Sequence, residues 1–144
     1  MTPAKNIIKF IKKHHVFTLS TCAKEIPWSC SCFYALLEEE IALVFTSGFE
    51  TRHVTEAQQN KQVAGIIVLE TKIIGKIKGI QFSGRMELAN SLLLEKARKA
   101  YLKRFPFAIL MDTTLWLFYI DYLKMTDNSF GFGKKLIWER GTSD

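Results

Sequence analysis

Gly79-Ile80-Gln81-Phe82-Ser83-Gly84-Arg85-Met86-Glu87-Leu88 alternates with a period of two. Ile80, Phe82, Met86 and Leu88 fall on one face, and Gln81, Ser83, Arg85 and Glu87 on the other. That period belongs to a β-strand, not a helix. Upstream, Val63 to Leu69 reads as a short buried strand, followed by a basic, irregular stretch from Lys72 to Lys78. Ile41 to Thr46 is a mostly apolar strand, and Val16 to Cys22 is β-branched and alternating. Trp28 to Leu37 carries Trp28, Cys30, Cys32, Tyr34 and Leu36 on one face, after a turn expected at Ile26-Pro27. Glu38, Glu39 and Glu40 form an exposed connection. Downstream, Leu115 to Met125 is a long aromatic strand, and Leu136 to Trp138 can close the sheet.

Three helices interrupt the strands. Thr2-Pro3 offers a capping hydroxyl and a first-turn proline, with Ala4, Ile7, Ile8 and Ile11 at helical spacing behind them. Ser47 with Glu50 matches an S-x-x-E capping box and predicts a helix from about Gly48 to Asn60. Ser91 to Arg104 places Leu93, Ala97, Ala100 and Tyr101 on one stripe, and Pro106 stops it. Several antiparallel strands with few helices point to a closed or partly closed barrel. Apolar residues on both faces of several strands call for a second covered face. Helices can supply it, and so can a second subunit; a homodimer is the preferred expectation, twofold dimers being the commonest oligomers.

The 144 residues are 48% hydrophobic and 24% charged, which suits one globular domain spanning residues 1–144. A formal charge of +6 is compatible with nucleic acid, anionic lipid or a phosphorylated small ligand. No dense basic tract stands apart from the apolar pattern, so nucleic acid is not an expected partner. Lys76, Lys78, Lys99 and Lys103 read most simply as a solvated face. The apolar stretch Phe105 to Ile120 is broken by Pro106 and Asp112 and is short for a membrane span. Residues Met1 to Lys13 lack the unbroken apolar core of a secretory signal. Cytoplasmic location is the resulting expectation. Cys22, Cys30 and Cys32 are an odd set, unlike a disulfide framework. The spacing C-x-C is a weak metal signal, and buried thiols with no metal are the simpler reading. His14, His15 and His53 have no evident carboxylate or nucleophile partner in sequence, and no catalytic residue is assigned.

The segment Ser47-Gly48-Phe49-Glu50-Thr51-Arg52-His53 sits where a strand gives way to a helix. Such junctions expose backbone N–H groups that bind phosphate. Arg52 falls in the first helical turn, the unfavourable end of the dipole for a cation, and a bound phosphate would relieve that conflict. The alternative is a solvated Arg52 paired with Glu50 or Glu56. Gln81, between Gly79 and Gly84, offers both the donor and the acceptor that a flavin ring edge requires; the alternative is a bulge with an exposed Gln. The Gly-rich run Thr126 to Lys135 lacks P-loop spacing and reads as a surface loop.

Thr51-Arg52-His53, Gly79 to Gly84, Ala97-Arg98-Lys99-Ala100-Tyr101, Arg104-Phe105-Pro106, and Thr126-Asp127-Asn128 through Gly131-Phe132-Gly133-Lys134-Lys135-Leu136-Ile137-Trp138 carry a resemblance over nearly the whole chain. The chain resembles the YhbP-like family, within the pyridoxamine-phosphate-oxidase-like, FMN-binding split-barrel superfamily. The resemblance implies a mainly β, α+β fold: a six-stranded antiparallel Greek-key split barrel with flanking helices. It implies a homodimer with FMN at the subunit interface. It places the phosphate against Thr46, Ser47, Thr51 and Arg52, the ring or phosphate against Gln81, and the ring beside Phe33 and Ala35. The superfamily often has Ser two residues before the basic residue, where this chain has Glu50. A flavin-dependent oxidoreductase of unassigned substrate is the implied function; the alternative is a non-enzymatic flavin or haem binding or sensor module.

Overall fold

The computed structural model describes residues 1–111 and 114–141; Asp112, part of the membrane-span reading above, lies outside them. Helix α1 (Lys5–Lys13) buries Ile7, Ile8, Phe10 and Ile11. It is capped at Ala4, with no side-chain hydrogen bond, so Thr2 is not the cap that the sequence suggested. Eight strands follow: β1 (Val16–Ala23), β2 (Ile26–Phe33), β3 (Ala35–Leu37), β4 (Ala42–Thr46), β5 (Gln62–Val68), β6 (Lys78–Leu88), β7 (Leu115–Asp127) and β8 (Lys135–Glu139). Helix α2 (Arg52–Gln59) joins β4 to β5, and α3 (Leu94–Arg104) lies between β6 and β7.

The strands are antiparallel and ordered β2-β1-β5-β6-β7-β4-β3, with β8 added to β7. The two ends of that path, β2 and β3, are consecutive in the chain and separated by Tyr34 alone. The strand expected from Trp28 to Leu37 is therefore one bent ribbon that closes the sheet on itself. Counted so, six strands form the ring and β8 is the extra one. β4 pairs with residues Leu115 to Tyr119 of β7, and β8 with Tyr122 to Thr126. The departure from β4 to β8 along a single strand splits the barrel.

The bend at Tyr34 is held from both sides. Tyr34 is fully buried, and its hydroxyl donates to the Ile11 carbonyl at 2.6 Å. Arg104 of α3 donates to the carbonyls of Tyr34 and Lys12, at 3.0 and 2.9 Å, and to that of His14. The Arg104-Phe105-Pro106 stretch thus ties α1, the bent strand and α3 together.

The turn expected at Ile26-Pro27 falls two residues earlier. Lys24 and Glu25 both take positive φ, 53° and 63°, the conformation of a tight type I′ hairpin. Neither is the glycine or asparagine that advertises such a turn, so Pro27 drew the boundary instead.

The main core fills the barrel with Phe17, Leu19, Phe45, Phe82, Phe118 and their neighbours. Phe17 stacks edge-on against Tyr34, Phe45 and Phe118. A second cluster lies outside the barrel wall. Ala35, Leu37, Val44, Leu115 and Leu117 from the sheet meet Ala97 and Tyr101 of α3 there. So a helix covers the second apolar face over this part of the sheet.

Candidate functional site

β4 ends at Thr46, and the chain passes through Ser47 to Thr51 before α2 begins. The wall is fixed by Trp116 of β7, whose indole N–H donates to the Ser47 carbonyl at 2.8 Å. Thr51, not Ser47, is the N-terminal cap of α2, and its hydroxyl turns back to donate to the Gly48 carbonyl at 2.8 Å. The capping box is absent: the Ser47 hydroxyl is hydrogen-bonded to His53 Nε2, and Glu50 lies folded against Gly48. Thr51 Oγ1 is 3.4 Å from the same His53 nitrogen. His53 thus has the hydroxyl partner that its position in the sequence did not reveal.

Arg52 opens α2 and is doubly engaged. Its Nε donates to Glu56 Oε1 at 2.8 Å, and its guanidinium stacks 4.0 Å above the Trp28 ring. The other oxygen of Glu56 accepts from the Thr21 hydroxyl at 2.6 Å. These hydrogen bonds, from Thr21 first and then Arg52, hold the Glu56 carboxyl below its usual range. A carboxylate one turn into α2 and an aromatic face already compensate the cation that looked misplaced in the sequence.

Thr46 faces the other way. Its hydroxyl is 3.4 Å from Tyr101 Oη. It lines a cavity of about 430 Å³ with Arg98, Tyr101, Leu102, Leu115 and the turn Ala108 to Met111. Ala35 is buried in the cluster that holds Tyr101, and exposed Phe33 packs on Phe105 with ring centroids 5.4 Å apart. Thr46, Ala35 and Phe33 therefore converge around the end of α3. Ser47 and Thr51 turn instead to His53, and Arg52 to Glu56 and Trp28.

Gln81 lies elsewhere. It pairs with Ile66 and Lys124, whereas Thr46 pairs with Leu115. Nine residues of β7 separate those two registers, and the two side chains line different hollows, Thr46 beside α3 and Gln81 beside Ile66, Val68 and Thr126. Within one chain, Gln81 does not join the group around Thr46.

One cluster was not read as a unit in the sequence. Cys30 and Cys32 share a face of β2, their sulfurs 3.8 Å apart. A ring nitrogen of His53 comes within 4.8 Å of both. Cys32's hydrogen bond and His53 lower the Cys30 thiol to about 5 against the opposing effect of burial, while Cys30 and burial push Cys32 up. Cys22 is exposed and stands outside the cluster. No spacing could have announced this, because α2 meets β2 only by packing across β1 and β2 in three dimensions.

A ring of six antiparallel strands, split along β7 and flanked by α1, α2 and α3, defines a split-barrel protein. Three solved structures share this fold. A haem-binding protein of Mycobacterium smegmatis superposes with a TM-score of 0.76 and 20% identity, over 90% of this chain and 55% of that one. This chain thus spans about half its length. An FAD-binding protein of Mesorhizobium loti gives a TM-score of 0.68 at 12% identity, covering 82% of this chain and 87% of its own. A pyridoxamine 5'-phosphate oxidase candidate of Listeria innocua gives 0.67 at 14% identity, covering 85% and 96%. No protein-family model matches the chain. It is, however, 40% identical over 134 residues to a UPF0306 protein of Photorhabdus laumondii, covering 93% of this chain and 94% of that protein. The chain belongs to the UPF0306 family.

Proposed function

We propose that this protein binds FMN between two copies of the chain and acts as a flavin-dependent oxidoreductase. The observation that carries the reading is the β4–α2 junction. The Ser47 and Thr51 hydroxyls meet there around His53, beside the first turn of α2, whose backbone N–H groups favour an anion, while the Thr46 hydroxyl faces Tyr101 in the adjoining cavity. The donor set fits a phosphate. The neighbouring cavity of about 430 Å³ falls in the range of small-molecule sites.

Ser47 and Thr51 would turn from His53 and the Gly48 carbonyl to hold the phosphate, and the terminal guanidinium nitrogens of Arg52 would add a charge-assisted contact while Nε keeps Glu56. Glu50 must swing off Gly48 for the anion to enter. Exposed Phe33 would flank the ring and shed water from one face, and Ala35, buried beneath α3, would offer it backbone alone. Gln81 reaches the same ring from the second copy, since its own chain holds it too far from Thr46. Bound flavin supplies the electron and hydride chemistry. No side chain is assigned as acid or base; solvent can deliver the proton.

The first test is an absorbance spectrum of the purified protein before and after FMN addition and desalting. A retained flavin band, bleached by a nicotinamide cofactor and restored by oxygen, supports the reading. Arg52→Ala should weaken FMN binding by about 1.5–3 kcal/mol while leaving a cooperative urea transition. A folded variant with unchanged affinity removes Arg52 from the site. Tight flavin binding without turnover makes the protein a carrier or sensor. A Soret band in place of the flavin band moves the assignment to haem, the ligand named for the Mycobacterium smegmatis structure. A colourless protein that retains no FMN overturns the flavin reading.

A further inference from the structure

We propose that Cys30, Cys32 and His53 form a three-ligand site for Zn²⁺, with the fourth tetrahedral position left open. The geometry does not rest on the flavin reading, although the Ser47 and Thr51 hydroxyls that meet His53 are those which that reading turns to the phosphate. Zinc bound to two thiolates at about 2.3 Å in a tetrahedron sets the sulfurs about 3.8 Å apart. The two sulfurs stand 3.8 Å apart here. The strand period explains why: residues i and i+2 of β2 project to the same side, so C-x-C on a strand delivers two ligands to one point.

The third ligand comes from a different element. α2 packs across β1 and β2 through the Thr21–Glu56 hydrogen bond and the Arg52–Trp28 stack. That docking brings a ring nitrogen of His53 within 4.8 Å of both sulfurs. The imidazole is already oriented, because its Nε2 meets the hydroxyls of Ser47 and Thr51. Metal-bound histidines are held by such outer partners. The donor set is two soft sulfurs and an imidazole, which suits Zn²⁺ and disfavours Mg²⁺ or Ca²⁺. Cys32 is buried and Cys30 half-buried, so the site is sheltered yet reachable from solvent. Three protein ligands leave one position for water or an exchangeable ligand, as in reactive rather than purely structural zinc sites.

The probe is Zn²⁺ alone, added to the reduced full chain and followed by desalting and metal analysis, with Co²⁺ as a spectroscopic substitute. One equivalent retained per chain is expected, with thiolate-to-cobalt charge-transfer bands and tetrahedral d–d bands. Cys30→Ser, Cys32→Ser and His53→Gln should each lower affinity at least about 100-fold, as loss of a primary ligand must exceed the loss of an outer one. Cys22→Ser should bind like the parent. Should a ligand variant fail to fold, alkylation of the unaltered protein decides: Zn²⁺ should shield Cys30 and Cys32 but not Cys22. Failure to retain the metal, equal alkylation of all three cysteines, or retention by a folded Cys30→Ser variant each overturns the site. None of these outcomes bears on FMN affinity, which the flavin spectrum measures separately.

Discussion

Glu56 joins β1 and α2 with one carboxylate. It is 9% exposed, accepts from Thr21 on β1 and from Arg52 on its own helix, and so pins α2 to the barrel. Both bonds favour the ionised form, and its folded pKa lies below the ordinary 4.5. A depressed carboxylate contributes stability above its unfolded pKa and loses it as pH falls through the folded value. Glu56→Gln should therefore be less stable than the parent at neutral pH, with the gap narrowing as the pH drops below 4.5. Urea denaturation across that range measures it. A gap that stays constant down to the acid transition would show that shape, not charge, sets the effect. The pairing of Arg52 with a residue at i+4 was legible in the sequence as the alternative to phosphate. Thr21 was not, because a strand and a helix 35 positions apart share no local pattern. The same reason hid the approach of His53 to Cys30 and Cys32, three residues whose proximity exists only in three dimensions.

At the scale of elements, β6 and β7 show what periodicity reveals and what it misses. The alternation from Gly79 to Leu88 gave β6 within one residue; of its apolar set, Ile80, Phe82 and Met86 are buried, and Leu88 at the strand's end is exposed. The register with β7 slips between Ser83 and Gly84, which face Tyr122 and Ile120, leaving Asp121 unpaired in a bulge. Asp121 uses that freedom to accept from Arg85 at 2.8 Å and Arg140 at 3.0 Å. Arg140 in turn donates to the carbonyls of Glu40, Ile41 and Ile120, fastening the end of β8 to β7 and to the approach to β4. Gly84 makes the bulge possible: a Cβ there would lie 1.8 Å from the Tyr119 carbonyl oxygen. The backbone must move to admit any side chain, a cost that strained cores put at about 3 kcal/mol. Gly84→Ala should lower the urea midpoint by that order, whereas Gly75→Ala, whose Cβ meets nothing within 4 Å, should be near neutral. Equal midpoints would mean that the bulge adapts and that its glycine is incidental. The sequence offered this glycine as a bulge or a ligand contact. Packing against Tyr119 accounts for it without a ligand.

For the whole molecule, the barrel's outer wall carries a row that crosses four strands: Ile66, Gln81, Lys124 and Ile137 stand in register. Ile66 is 42% exposed, Val68 58% and Ile137 62%, on the side of the barrel away from the core. α3 covers the apolar wall at β3 and β4, but among the described helices none is placed on this row. A closed or partly closed barrel was readable from the number and spacing of the strands; their order and what covers this wall were not, because strand pairing is long-range and surface complementarity lies between molecules. A second copy is the occupant the proposed site requires, since Gln81 can meet Thr46 and Arg52 only across an interface. The chain of 16.6 kDa should then elute at twice that mass. Replacing Ile66 and Val68 together by Lys leaves the buried core untouched and puts like charges on both faces of a twofold contact. The doubly substituted chain should elute as a monomer with an unchanged circular-dichroism spectrum, and FMN affinity should fall with the dimer. A parent already monomeric would remove the shared site. A monomeric variant that keeps full FMN affinity would confine the flavin to residues of one chain and exclude Gln81 from its binding.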